Sequence, residues 1–133
     1  MTGSDVFFDS WAWWEVLAGT KKGRSLWAKY ASAGGGRIHS SVLTIAEIAS
    51  KLARTGHPAN IEAMVGVVEG ESSLHQVTIA HARAAGALHV DLRRRAPEAS
   101  LADALILAAA RSEGLTLVSG DAAFHGLPDV TSS

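Results

Sequence analysis

The sequence of 133 residues contains no cysteine. Disulfides and thiolate metal sites are thereby excluded, and a reducing compartment fits. The groups left to hold a metal are Asp, Glu, His and backbone oxygen, a set that favours hard cations. No apolar run approaches the ~20 residues that cross a bilayer, and no basic N-terminal region leads through an apolar stretch to a small-residue cleavage site. A cytoplasmic protein without membrane association is the expectation. Charge of one sign is not in excess either. Twelve Lys and Arg face thirteen Asp and Glu, a net charge of −1, so the global basic field that announces nucleic-acid binding is missing. The basic residues are instead clustered, at Lys21, Lys22 and Arg24 and at Arg93, Arg94 and Arg95. What the chain does have, 47% hydrophobic and 19% charged residues, suits one compact domain over residues 1–133. Such a domain buries roughly two-thirds of its unfolded surface without staples.

Strand and helix signals alternate along the chain. Val6-Phe7-Phe8 is a β-prone run feeding a helix over Ser10 to Leu17, and Lys21 to Ala31 is a second amphipathic stretch closed by Gly34-Gly35-Gly36. The triple glycine lacks the Lys-Ser/Thr sequel of a phosphate-binding loop and reads as a break. Arg37-Ile38-His39 predicts a second strand, and Thr44 to Arg54 a helix with Ile45, Ile48, Ala49 and Leu52 at helical spacing. A further helix is expected over Asn60 to Val68, a third strand over Leu74 to Val77, and an Ala-rich helix over Ile79 to Leu92, interrupted at Gly86. Ser100 to Ser112 is the strongest helix; Gly114 stops it, and Leu115 to Val118 is a strand before the Ser119-Gly120-Asp121 turn. This order predicts an α/β fold with a mostly parallel central sheet sandwiched by helices, in which ligands bind beyond the carboxyl ends of the strands.

Four acids sit where those elements begin or end: Asp9, Glu47, Asp103 and Asp121. Each has an ordinary reading. Thr44-x-x-Glu47 has the form of a capping box, Ser100-x-x-Asp103 is a near variant, Asp9 could cap the following helix, and Asp121 could be a turn residue. Four independent caps, however, need not alternate with the elements of a parallel fold so that all can reach one sheet edge. Capping and metal binding are compatible, because a cap holds its carboxylate at a helix start where a neighbouring strand end can meet it.

Four segments in order carry a resemblance that spans nearly the whole chain. They are Phe8-Asp9-Ser10 after a hydrophobic strand, Ser41-Val42-Leu43-Thr44-Ile45-Ala46-Glu47-Ile48, the run from Leu101 to Ala110 containing Asp103, and Leu117-Val118-Ser119-Gly120-Asp121-Ala122-Ala123-Phe124. These residues resemble the PIN-domain family of metal-dependent ribonucleases, and among them the VapC-type toxins of prokaryotic toxin–antitoxin pairs. The resemblance implies a single PIN-like domain in which Asp9, Glu47, Asp103 and Asp121 form an acidic pocket for Mg²⁺ or Mn²⁺, flanked by the hydroxyls of Ser10 and Ser119. Asp9 and Asp103 are expected as principal ligands, with Glu47 and Asp121 binding through water or completing a second site. It further implies an RNA substrate, a small antitoxin whose tail enters the cleft, and a homodimer. One position departs from the pattern: many relatives carry an acid two residues after the last aspartate, where this chain has Ala123.

Carboxylate oxygens suit hard divalent ions, which neutralise charge building on a phosphodiester and make bound water a better nucleophile. The six histidines, His39, His57, His75, His81, His89 and His125, show no pair with metal-ligand spacing beside an acid. Arg93-Arg94-Arg95 is the best candidate for RNA phosphates, against a solvated face or contact with an inhibitory partner. For Trp11, Trp13 and Trp14 the expectation is core packing or a dimer surface rather than base stacking. Two rivals to the ribonuclease stand: a catalytically inactive PIN-like protein-binding module, and a flap-type DNA nuclease, for which 133 residues leave little room.

Overall fold

Val6, Phe7 and Phe8 are all buried, as expected of a strand covered on both sides. They form β1 (Val6–Phe8), the middle strand of a parallel five-stranded sheet in the order β3-β2-β1-β4-β5. The structure is a computed structural model that describes residues 5–31 and 37–133; the triple glycine lies outside the described residues. After β1 the chain runs through α1 (Ser10–Leu17), α2 (Lys21–Tyr30), β2 (Ile38–Ser41) and α3 (Val42–Arg54). A 3₁₀ turn (Pro58–Asn60), α4 (Ile61–Glu71), β3 (Ser73–His75) and α5 (Ile79–Arg95) follow. The chain closes with α6 (Leu101–Ser112), β4 (Thr116–Val118), a second 3₁₀ turn (Ala122–Phe124) and β5 (Val130–Thr131).

Side chains alternate across the sheet, so β1 feeds two cores. Phe7 and Leu117 pack with Ala85, Leu92, Ile106 and Leu107 of α5 and α6. Val6, Phe8, Ile38 and Val118 pack on the other face with Trp13, Leu26, Tyr30, Ile48 and Val68, from α1 to α4. Phe8 meets Trp13 and Tyr30 edge-on, at ring centroid separations of 5.4 and 5.8 Å. Backbones approach closely between α1 and α2. A methyl at Gly23 would fall 1.9 Å from the carbonyl oxygen of Glu15, so only glycine fits there.

Helix starts differ from the sequence reading in one respect that matters for function. Ser41 caps α3, accepting from the Leu43 N–H, so the helix begins two residues earlier than its apolar spacing indicates. Thr44 is consequently fully buried and Thr44-x-x-Glu47 is not a capping box; Glu47 stands in the second turn, not the first. The Ser100–Asp103 box does form. α5 runs through Gly86 without a break and carries on to Arg95. β3 is earlier and shorter than expected, and β5, two residues long, carries no periodic signal.

Candidate functional site

The strand order reverses at β1. The chain leaves toward β2 and β3, then crosses back to lay β4 on β1's other side, so the crevice beyond the ends of β1 and β4 is the switch point where such sheets bind ligands. Asp9 follows β1 and Ser119 follows β4, which puts both there. Asp9 caps α1 through Oδ1, which accepts from the Ala12 N–H at 2.9 Å, while its Oδ2 accepts from the Ser119 hydroxyl at 2.5 Å. The Ser119 hydroxyl oxygen in turn accepts from the Asp121 N–H at 3.0 Å, and Asp121 caps the following 3₁₀ turn by accepting from the Ala123 N–H.

The other two acids reach this crevice from helices. Glu47 of α3 accepts from the Ser10 hydroxyl at 2.5 Å, which ties α3 to the first residue of α1. Asp103, in the first turn of α6, accepts from the Ser100 N–H. Electrostatics couples Asp103 and Asp121 to both Asp9 and Glu47. Burial, opposed by the bonds from Ser119 and Ala12 and reinforced by the charges of Asp121 and Asp103, pushes the Asp9 carboxyl up to about 7. Burial also raises Glu47, against the Ser10 hydrogen bond and with the charges of Asp103 and Asp121 adding to it. Asp103 is raised by burial, with bonds from Ser100 and the nearby His89 opposing and Asp121 contributing. Like charges this close disfavour ionisation unless a cation offsets them.

None of the ion pairs among the described residues, Asp5–His39, Asp91–Arg94 and Asp129–Arg111, reaches the four acids. The donor set is all oxygen, and the site's own electrostatics favour added positive charge, so these residues fit a hard divalent ion. Among the described residues no three His, Asp or Glu side chains form a ready-made cage, so the carboxylates gather without closing.

Ala123, the departing position, is 3% exposed and packs in the core against α5 and α6. An acid there would be buried among apolar side chains rather than turned to the cleft. One histidine pair does meet an acid, without forming a metal site among the described residues. β2 and β3 pair so that His39 Nδ1 lies 2.8 Å from His75 Nε2, and His39 Nε2 lies 2.9 Å from Asp5. These three do stand together, but both ring nitrogens of His39 are already engaged, leaving it no lone pair for a metal.

The basic run ends α5: Arg94 pairs with Asp91, and Arg95 donates to the His125 carbonyl, on the loop that shares a depression with Ser119 and Asp121. Sequence reasoning missed a nearer pair of cations. A cleft of about 280 Å³ is lined by Ser10, Trp11, Trp14, Glu47, Ile48, Lys51, Arg54 and Asp121. The signal was the spacing Glu47, Lys51, Arg54, one face of α3 at i, i+4 and i+7. Of the tryptophans, Trp13 is core as expected, whereas Trp11 and Trp14 are partly exposed to this cleft.

The PIN domain model matches residues 6–130. The chain belongs to the PIN domain family. No curated protein matches it in sequence. Its fold is similar to that of several toxin–antitoxin structures. One, a toxin–antitoxin complex from Klebsiella pneumoniae, is 18% identical with a TM-score of 0.71, over 96% of each chain. DNA-bound VapBC from Salmonella typhimurium is 18% identical with a TM-score of 0.72, over 96% of each chain. A Mycobacterium tuberculosis VapC toxin that cleaves the sarcin–ricin loop is 23% identical with a TM-score of 0.71, over 95% of this chain and 98% of that one. At these identities the likeness fixes the fold alone, with β1 and β4 adjacent at the centre of the sheet.

Proposed function

We propose that this PIN domain is a Mg²⁺- or Mn²⁺-dependent endoribonuclease and the toxin of a type II toxin–antitoxin pair. The observation that carries the reading is the gathering of Asp9, Glu47, Asp103 and Asp121 at the sheet's switch point, where burial and mutual repulsion raise the carboxyls of Asp9, Glu47 and Asp103. Asp9 and Asp103 would hold the ion directly, with Glu47 and Asp121 completing its surroundings or a second site. When bound, the ion supplies charge neutralisation for the phosphodiester and lowers the pKa of water.

The chain's own contribution is to fix the ligands. Ser119 holds one oxygen of Asp9 while the start of α1 holds the other, and Ser10 orients Glu47. Arg93, Arg94 and Arg95, at the end of α5, would neutralise RNA phosphates further out. In-line hydrolysis leaves 5′-phosphate and 3′-hydroxyl ends. The toxin–antitoxin neighbours support a small antitoxin as partner, and a homodimer and a cytoplasmic location accompany the proposal.

Purified protein with Mg²⁺ or Mn²⁺ should cleave RNA, Asp9→Asn and Asp103→Asn should each lose at least about a hundredfold in rate, and EDTA should abolish cleavage. Equal cleavage by all three proteins overturns the assignment. The rival, an inactive protein-binding module, draws on the open arrangement of the acids. Calorimetric titration separates the two, because a module binds no Mn²⁺ saturably.

A further inference from the structure

The cleft that Glu47 and Asp121 share with α1 has two unlike ends, acidic at the switch point and cationic along α3. We infer that its outer part, Trp11, Trp14, Lys51 and Arg54, is a subsite for one unpaired nucleotide of the RNA strand next to the scissile phosphate. The inference rests on the ribonuclease reading above.

Three observations carry it. Trp11 is held in place by backbone: a methyl at Gly120 would come within 2.4 Å of its ring, so the indole lies directly on the segment between Ser119 and Asp121 and still lines the cleft. A partly exposed, positionally fixed indole beside a nuclease site is a stacking platform, and base stacking tolerates any sequence. Second, Lys51 Nζ lies 4.1 Å from the centre of the Trp14 ring, which keeps its charge inside the cleft. Third, Lys51 and Arg54 follow Glu47 by one and two turns of α3, about 6 and 10 Å along the axis, so both cations lie outward from the acids. A strand whose scissile phosphate sits at the acids would thus carry a neighbouring phosphate toward Lys51 and Arg54. A duplex cannot offer a base face to the indoles, and single strands can. A basic peptide would meet Lys51 and Arg54 unfavourably, so RNA is the better fit to the charge order.

The test uses the whole chain and a fluorescein-labelled, unstructured RNA oligonucleotide, with binding read by anisotropy in EDTA and cleavage read in Mn²⁺. Trp11→Ala should weaken binding about tenfold, with Trp11→Phe retaining most of it. The surface double variant Lys51→Gln/Arg54→Gln should lower the slope of log Kd against log salt by about 1.4, and raise KM more than it lowers kcat. Wild-type affinity and salt slope in the double variant, or equal binding of a duplex of the same sequence, overturns the subsite. So does a double variant that binds RNA normally yet loses a protein partner. If wild-type protein binds RNA through these residues but never cleaves it, the ribonuclease reading fails, and the subsite next to a scissile phosphate falls with it. If cleavage depends on Asp103 but not on Lys51 and Arg54, the subsite alone falls.

Discussion

Asp9 is 4% exposed, beside two other carboxylates, and its carboxyl is pushed up from 3.8 to about 7. A group whose folded-state affinity for the proton is raised makes the folded chain bind more protons than the unfolded one between those two values. Stability of the metal-free protein therefore falls as pH rises from about 4 through about 7, by an amount on the order of a few kcal/mol, and Glu47 and Asp103 act in the same direction. In EDTA the thermal midpoint should drop by several degrees between pH 5 and pH 8. Asp9→Asn should flatten that slope and raise the midpoint at pH 8 while losing cleavage; an unchanged slope would contradict the assignment of the cost to this side chain. At this scale the sequence was most legible, since each acid lies beside a hydroxyl or an element boundary. The local reading of Glu47 as a capping-box partner does not hold. Its apparent cap partner Thr44 is in fact interior, because Ser41, three residues earlier, starts the helix.

Helices and strands were legible wherever their length let a period show. α1 spans the residues expected, and α6 differs by its cap. Two-residue β5 and the 3₁₀ turns are too short to leave a pattern, and Gly86 does not break α5 because propensity yields to packing along α6. The α1–α2 contact was invisible in sequence, since a glycine three residues into a helix looks like a weak position rather than an obligatory one. Gly23→Ala should destabilise the protein by on the order of 3 kcal/mol, because the obstacle is the Glu15 carbonyl and no side chain can swing aside. Urea unfolding would measure it. A change below about 0.5 kcal/mol would mean that the two helices separate easily.

For the molecule as a whole, the charge balance argues mildly against an RNA ligand, but a sum does not report where the charges lie. Lys51 and Arg54 lie on the cleft while Glu113 and other acids are exposed elsewhere. The sequence expectation puts a dimer surface on the aromatic residues near the N-terminus, and the structure exposes apolar side chains elsewhere. The aromatic residues of α1 are at least partly buried, whereas Ile79 and Val90, eleven residues apart on one side of α5, are 76% and 52% exposed, and Leu101 of α6 is 51% exposed. Such side chains suit contact with a second copy. Val90→Glu should convert a dimer to a monomer in sedimentation velocity with little loss of thermal stability, and a wild-type monomer would refute the dimer itself.

Asp9, Asp103 and Asp121 each close the start of a helix or helical turn as well as acting electrostatically on one another. That double employment constrains how the protein can change over evolutionary time. A descendant released from selection for cleavage could not fill these positions with leucine or valine without fraying α1, α6 and the final turn, but asparagine or serine would still accept the same amide hydrogens. A retired member of this lineage should therefore carry amides or hydroxyls in place of its acids, with its architecture intact.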